Sequence, residues 1–190
     1  NLGYGFFMKI ETTNYSNLIL KNWPLFAGLA SVFMLAAAHA FETFGKLYPC
    51  ALCLHQREIY WIALSISIIA ILARQFTKSQ SITRAFDAIL AVAFLAGVVV
   101  AGFHAGVEQH WWLGLPECAG GGSNVQETGD LLSALSKPMD IPSCDKVAWS
   151  FLGLSMAVWN MIISLVLAVI SLFCALKGDT GSAPLNEEAA

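Results

Sequence analysis

Apolar positions fall in four long runs, separated by polar stretches of very unequal length. The first extends from Leu25 to about Phe44, apolar on all sides, with Pro24 where a helix start tolerates it. The second extends from Cys50 to about Ala73, and reaches full length only if the turns carrying Cys50, Cys53 and Arg57 belong to it. The third covers Ala85 to about Ala105, with Asp87 near its start. The fourth, Val147 to Leu176, is longer than a span needs, so its first turns are expected at an interface. An α-helix needs about 20 apolar residues to cross a hydrocarbon core. The pattern predicts an all-α integral membrane protein, a four-helix transmembrane bundle with spans at about 25–44, 50–73, 85–105 and 147–176. A short loop at 45–49 and a long one at 106–146 connect them on one side.

Composition supports that class. Hydrophobic residues make up 57% of the 190 and charged residues only 12%, against about 25% charged in soluble domains. Too few charges remain to cover a water-facing surface. The net charge of -3, with no basic patch, points away from nucleic acid. Residues 1–7 read as an expression remnant ahead of a native start at Met8-Lys9, followed by a polar tail to residue 24. No cleavable signal peptide is expected. Residues 177–190 form a second polar tail, expected to be disordered.

Charge sets the orientation. With both termini in the cytoplasm, the inner side carries Lys9, Lys21, Arg74, Lys78, Arg84 and Lys177, and the outer side Lys46, Lys137 and Lys146. Six against three follows the positive-inside rule. This orientation puts Cys50, Cys53, Cys118 and Cys144 outside, where disulfides persist. Four cysteines allow three pairings. The fifth, Cys174, lies within the last run and reads as a small buried apolar residue.

Cys50 and Cys53 form a C-x-x-C pair at the start of a span, where backbone N–H groups and the helix dipole favour a thiolate. Such a pair serves either redox chemistry or a metal site; without a second C-x-x-C, redox is favoured. Arg57 follows Cys53 by four residues and so shares its helix face. A guanidinium within a span suits stabilising charge on a bound acceptor; the plainer alternative is snorkelling to headgroups beside Glu58. His104, with Glu108 one turn on, is placed either to exchange protons or simply to end a helix. His39, His55 and His110 have weaker cases. Three consecutive glycines from Gly120 make the long loop look free to move. A disulfide closing it would be exposed and exchangeable. Trp111-Trp112-Leu113 would tether the loop at one side.

Three blocks together resemble the DsbB family of bacterial inner-membrane disulfide-forming oxidoreductases. They are Cys50-x-x-Cys53-x-x-x-Arg57; Gly102 to Glu108 leading to Pro116-Glu117-Cys118; and Pro142-Ser143-Cys144-Asp145 running into Trp149 to Met156. The likeness covers roughly Leu25 to Leu176. The vitamin K epoxide reductase family shares the four-helix plan but has the opposite cysteine order. The resemblance implies an enzyme, with two periplasmic loops and catalytic cysteines Cys50, Cys53, Cys118 and Cys144. It implies that a periplasmic DsbA-like thioredoxin-fold oxidase attacks Cys118 of a Cys118–Cys144 disulfide, that Cys144 then attacks Cys50, and that Cys53 passes electrons to ubiquinone or menaquinone. Arg57 and His104 would bind the quinone; no metal is expected. The family often has an acid before the arginine, where this chain has Gln56 and puts Glu58 after. Rival readings are a relative with a dedicated partner, or a metal- or haem-binding membrane module using Cys50, Cys53, His55 and His104.

Overall fold

The structure, a computed structural model, describes residues 19–77, 79–118 and 142–177. The expectations for the two polar tails and for the glycine-rich centre of the long loop lie outside the described residues. Four helices make up most of what is described: α1 (Trp23–Thr43), α2 (Ala51–Phe76), α3 (Gln80–Glu108) and α4 (Met156–Lys177). All four are long and apolar enough to cross a membrane. Their outward faces carry bare apolar side chains, with Phe33 71% and Val92 67% exposed. Water would not tolerate so much exposed apolar surface, whereas lipid does.

Small and polar residues join the helices where lipid offers no hydrophobic drive. Gly28 lies against Ser67, and Gly97 against Ser164, close enough that an added Cβ would stand 3.2 and 3.0 Å from the facing serine. Trp23 donates its indole N–H to Ser171 at 2.8 Å, tying α1 to α4. Buried Ser31, Ser67 and Ser171 return their hydroxyl protons to the carbonyl four residues back, so no donor is stranded. Arg84, near the start of α3, donates to the Ala175 and Leu176 carbonyls and thereby closes the C-terminus of α4.

The helix ends differ from the apolar runs in two places. α3 begins earlier and ends later than the 85–105 run, and finishes in a Schellman turn. Trp111 N–H bonds to Gly106 O at 2.9 Å and His110 N–H to Val107 O at 3.0 Å. His110 takes the left-handed position usually given to glycine, with φ 57°. The second difference corrects the fourth run, since residues 147–155 are not helical. They contain a two-stranded hairpin, β1 (Ser150–Phe151) and β2 (Leu154–Ser155), paired Ser150 to Ser155 and Phe151 to Leu154. Leu152 and Gly153 between them both have positive φ, 53° and 79°, as the tightest hairpin turn demands. Apolar content alone could not distinguish this ribbon from a helix turn. Ser155 then caps α4 by accepting from Val158 N–H at 3.3 Å.

Candidate functional site

Cys50 is the residue before α2, and its own sulfur caps the helix by accepting from Cys53 N–H at 3.3 Å. The two sulfurs stand 2.8 Å apart as a free thiol pair. His104 Nε2 lies 3.6 Å from Cys50 Sγ. Glu108 reaches within 3.9 Å of that same nitrogen, and its other oxygen accepts from the Ser155 hydroxyl.

Cys118 and Cys144 are joined in a disulfide with their Cα atoms 5.1 Å apart. Contrary to the sequence expectation, this disulfide is buried, with Cys118 6% and Cys144 0% exposed. It packs in one cluster with Cys50, Leu52 and Val107. Burial follows from how the chain leaves α3. After the Schellman turn, Gly114 passes so close that a Cβ would meet Cys118 Cβ at 3.0 Å and Val107 at 3.2 Å. A 3-10 turn, Pro116–Cys118, then sets Cys118 against the start of α2. Trp112 anchors the same segment: its indole stacks on Phe103, donates to the Phe103 carbonyl at 3.0 Å, and lies over Gly106. All three residues of that apolar patch are exposed to some degree, and Trp112 is the one whose stacking and hydrogen bond tie the segment to α3.

Cys53 packs against that cluster and also lines an apolar cavity of about 610 Å³. Arg57, Tyr60 and His104 line the same cavity, together with Phe41 and Trp149. The hairpin forms part of its wall: Trp149 packs on Phe41 of α1, and Phe151 on Trp159 of α4. Arg57 is not paired with Glu58. It donates from Nη1 to Glu42 Oε2 at 2.6 Å and from Nη2 to Ala38 O at 3.2 Å. A guanidinium has five N–H donors in a planar fork, so these bonds leave it able to serve a further acceptor in the cavity.

Cys50, Cys53, Arg57, His104, Cys118 and Cys144 therefore gather at one end of the bundle. His55 stands apart, beside Glu58 at 3.1 Å. Sequence reasoning missed Glu42, Tyr60, Asn160 and Ser155. Polar residues repeating at four-residue spacing inside apolar runs, Gln56 with Tyr60 and Asn160 with Ser164, were the available signal. Each pair marks a buried face.

The family model for disulfide bond formation protein DsbB matches residues 21–174. A relative named disulfide bond formation protein B, from Methylococcus capsulatus, is 33% identical over 147 residues, covering 73% of this chain and 84% of the relative. Disulfide bond formation protein B 2 from Pseudomonas putida is 31% identical over 162 residues, covering 83% and 91%. No solved structure matches significantly.

Proposed function

The chain belongs to the DsbB family of disulfide bond formation proteins, and from that premise we propose that it re-oxidises a thioredoxin-fold dithiol oxidase and delivers the electrons to membrane quinone. One observation carries this reading: the Cys118–Cys144 disulfide lies in the same buried cluster as Cys50, whose partner Cys53 opens onto an apolar cavity. That arrangement fits a relay in which a DsbA-like thiolate attacks Cys118 Sγ and releases Cys144 as a thiolate. Cys144 then attacks Cys50 Sγ in a Cys50–Cys53 disulfide and frees Cys53. The partner's second thiolate resolves its mixed disulfide and frees Cys118. Cys118 attacks Cys144, restoring the loop disulfide and releasing Cys50. Helix N-cap position and His104 both favour Cys50 as a leaving thiolate.

The cavity fits a quinone. It is lined mainly by apolar side chains, and it carries a guanidinium and a thiol where a polar ring would need a donor and a reductant. Arg57 would hold a carbonyl oxygen, Tyr60 and Trp149 would flank the ring, and His104 would assist. When bound, ubiquinone or menaquinone supplies the two-electron acceptor that allows Cys50 and Cys53 to re-form their disulfide. In this reading the protein sits in the bacterial inner membrane, both termini cytoplasmic and the cysteine end periplasmic, following the lysine and arginine asymmetry.

The test is quinone reduction by the purified protein, driven by a reduced DsbA-like partner, with each cysteine replaced in turn. Cys53→Ser is expected to abolish it, and a reduced partner lacking its second active-site thiol is expected to stay joined to Cys118, having attacked the Cys118–Cys144 disulfide and released Cys144. Turnover that survives Cys53→Ser would overturn the reading. A second reading also has an observation behind it: donor atoms of Cys50, Cys53 and His104 lie within 4.8 Å of one another, as a metal site would need. Stoichiometric metal in the purified protein, without thiol–disulfide cycling, would favour that reading instead.

A further inference from the structure

A line of buried polar side chains leads from α4 through α2 to His104, and its hydrogen bonds have a direction. Tyr60 has one hydroxyl proton and gives it to Asn160 Oδ1 at 2.5 Å. The Ser164 hydroxyl, 3.0 Å from Tyr60 Oη, is then the donor to it. Asn160 Nδ2 donates to Gln56 Oε1 at 2.6 Å. With its oxygen committed, Gln56 turns its Nε2 to His104 Nδ1 at 2.9 Å. An amide nitrogen can only donate, so Nδ1 must offer its lone pair. A neutral imidazole then carries its proton on Nε2, and Nε2 is the nitrogen 3.6 Å from Cys50 Sγ.

We propose that Gln56, held in place by Asn160 and Tyr60, is a positioning residue that fixes His104 in the Nε2–H tautomer and aims its proton at the Cys50 sulfur. Buried polar atoms pair with one another, so turning one amide over sets donor against donor unless the whole line reverses. The line spans three helices, and a change at Tyr60 is therefore felt at Cys50. Among the described residues, the titratable groups against the ring are the Cys50 and Cys53 thiols and Glu108. Its Oε1 is 3.9 Å from Nε2, too far for a hydrogen bond but close enough for its charge to act on the same proton. The chemical use of this geometry rests on the thiol–disulfide reading above; the tautomer itself does not.

The experiment is nitrogen-15 NMR of histidine-labelled full-length protein in lipid, reduced, with His39, His55 and His110 replaced by glutamine so that His104 alone reports. The expected spectrum shows Nε2 protonated and Nδ1 bare. Gln56→Met keeps the bulk, removes the donor, and is expected to give a mixture of tautomers. Tyr60→Phe removes one hydroxyl at the far end and is expected to shift the same balance, which keeps the test available if Gln56→Met fails to fold. Protonated Nδ1 in the parent chain, or an unmixed Nε2–H form in both variants, would overturn the proposal. A second readout is alkylation of Cys50 in a Cys53→Ser background. Gln56→Met is expected to move its pH midpoint upward by about one unit, the worth of one hydrogen bond to a charged group. An unmoved midpoint would count against the proposal. Loss of quinone reduction with the tautomer pattern intact would refute the functional reading and leave this one standing.

Discussion

Arg57 on α2 is held by Glu42 on α1, Nη1 to Oε2 at 2.6 Å, and its second arm reaches the Ala38 carbonyl. The pair ties two spans together beside the cavity and fixes the plane of the guanidinium. Removing the fork should therefore weaken quinone binding more than it slows thiol exchange. Arg57→Ala is expected to raise the half-saturating quinone concentration about 10- to 100-fold, the worth of a hydrogen bond from a charged donor. Arg57→Lys, which keeps the charge but cannot bridge Glu42, Ala38 and a ligand at once, should fall between. Unaltered quinone kinetics in Arg57→Ala would remove the role assigned to it.

The Cys50 sulfur accepts from Cys53 N–H and lies 3.6 Å from His104 Nε2, and both contacts favour its thiolate. A thiolate favoured in this way forms at lower pH than that of an ordinary cysteine, which titrates at about 8.5. In the fully reduced protein, alkylation of Cys50 is expected to reach its full rate below pH 8. Stopped-flow alkylation across pH checks this. A rate still climbing tenfold per unit between pH 6 and 8 would contradict it.

Gly106 leaves room for Trp112, whose indole ring occupies the place where a Cβ would stand. Gly106→Ala must push the indole off Phe103 and break its bond to the Phe103 carbonyl. A cost of about 1–3 kcal/mol is expected from the overpacking, read as a lowered Tm and a changed tryptophan emission. Because the indole anchors the segment that leads to Cys118, Cys118 should also become easier to reduce in this variant.

Cys174 is buried within the core shared by Trp23, Leu90 and Leu167, far along α4 from the other cysteines. Cys174→Ala is expected to leave turnover unchanged and to cost about 1 kcal/mol or less in stability, the loss of a small buried group. Reduced turnover at unchanged stability would show a role for this thiol that the fold does not suggest.

Much of this was legible in the chain itself. Span count follows from the apolar runs, because hydrocarbon thickness sets helix length whatever the neighbours are. The C-x-x-C at a helix start, with Arg57 one turn on, is local geometry, and local geometry survives folding. Residues 147–155 were misread for the opposite reason: in lipid, ribbon and helix can be equally apolar, and only the positive φ of Leu152 and Gly153 separates them. The exposed disulfide expected from the glycine-rich loop was also wrong, since burial depends on Gly114 and Trp112 folding the loop entry onto Val107.

By itself, then, the sequence determined that this is a four-span membrane protein with a thiol pair at a helix N-terminus, since both depend on spacing within one segment. The tertiary structure decided which atoms that pair meets. Arg57 found Glu42 rather than Glu58, the loop disulfide came to rest against Cys50, and Gln56, Asn160 and Tyr60 aligned behind His104. Those meetings join residues from different helices, and no pattern along a single chain segment encodes how helices pack or which buried polar groups must satisfy each other.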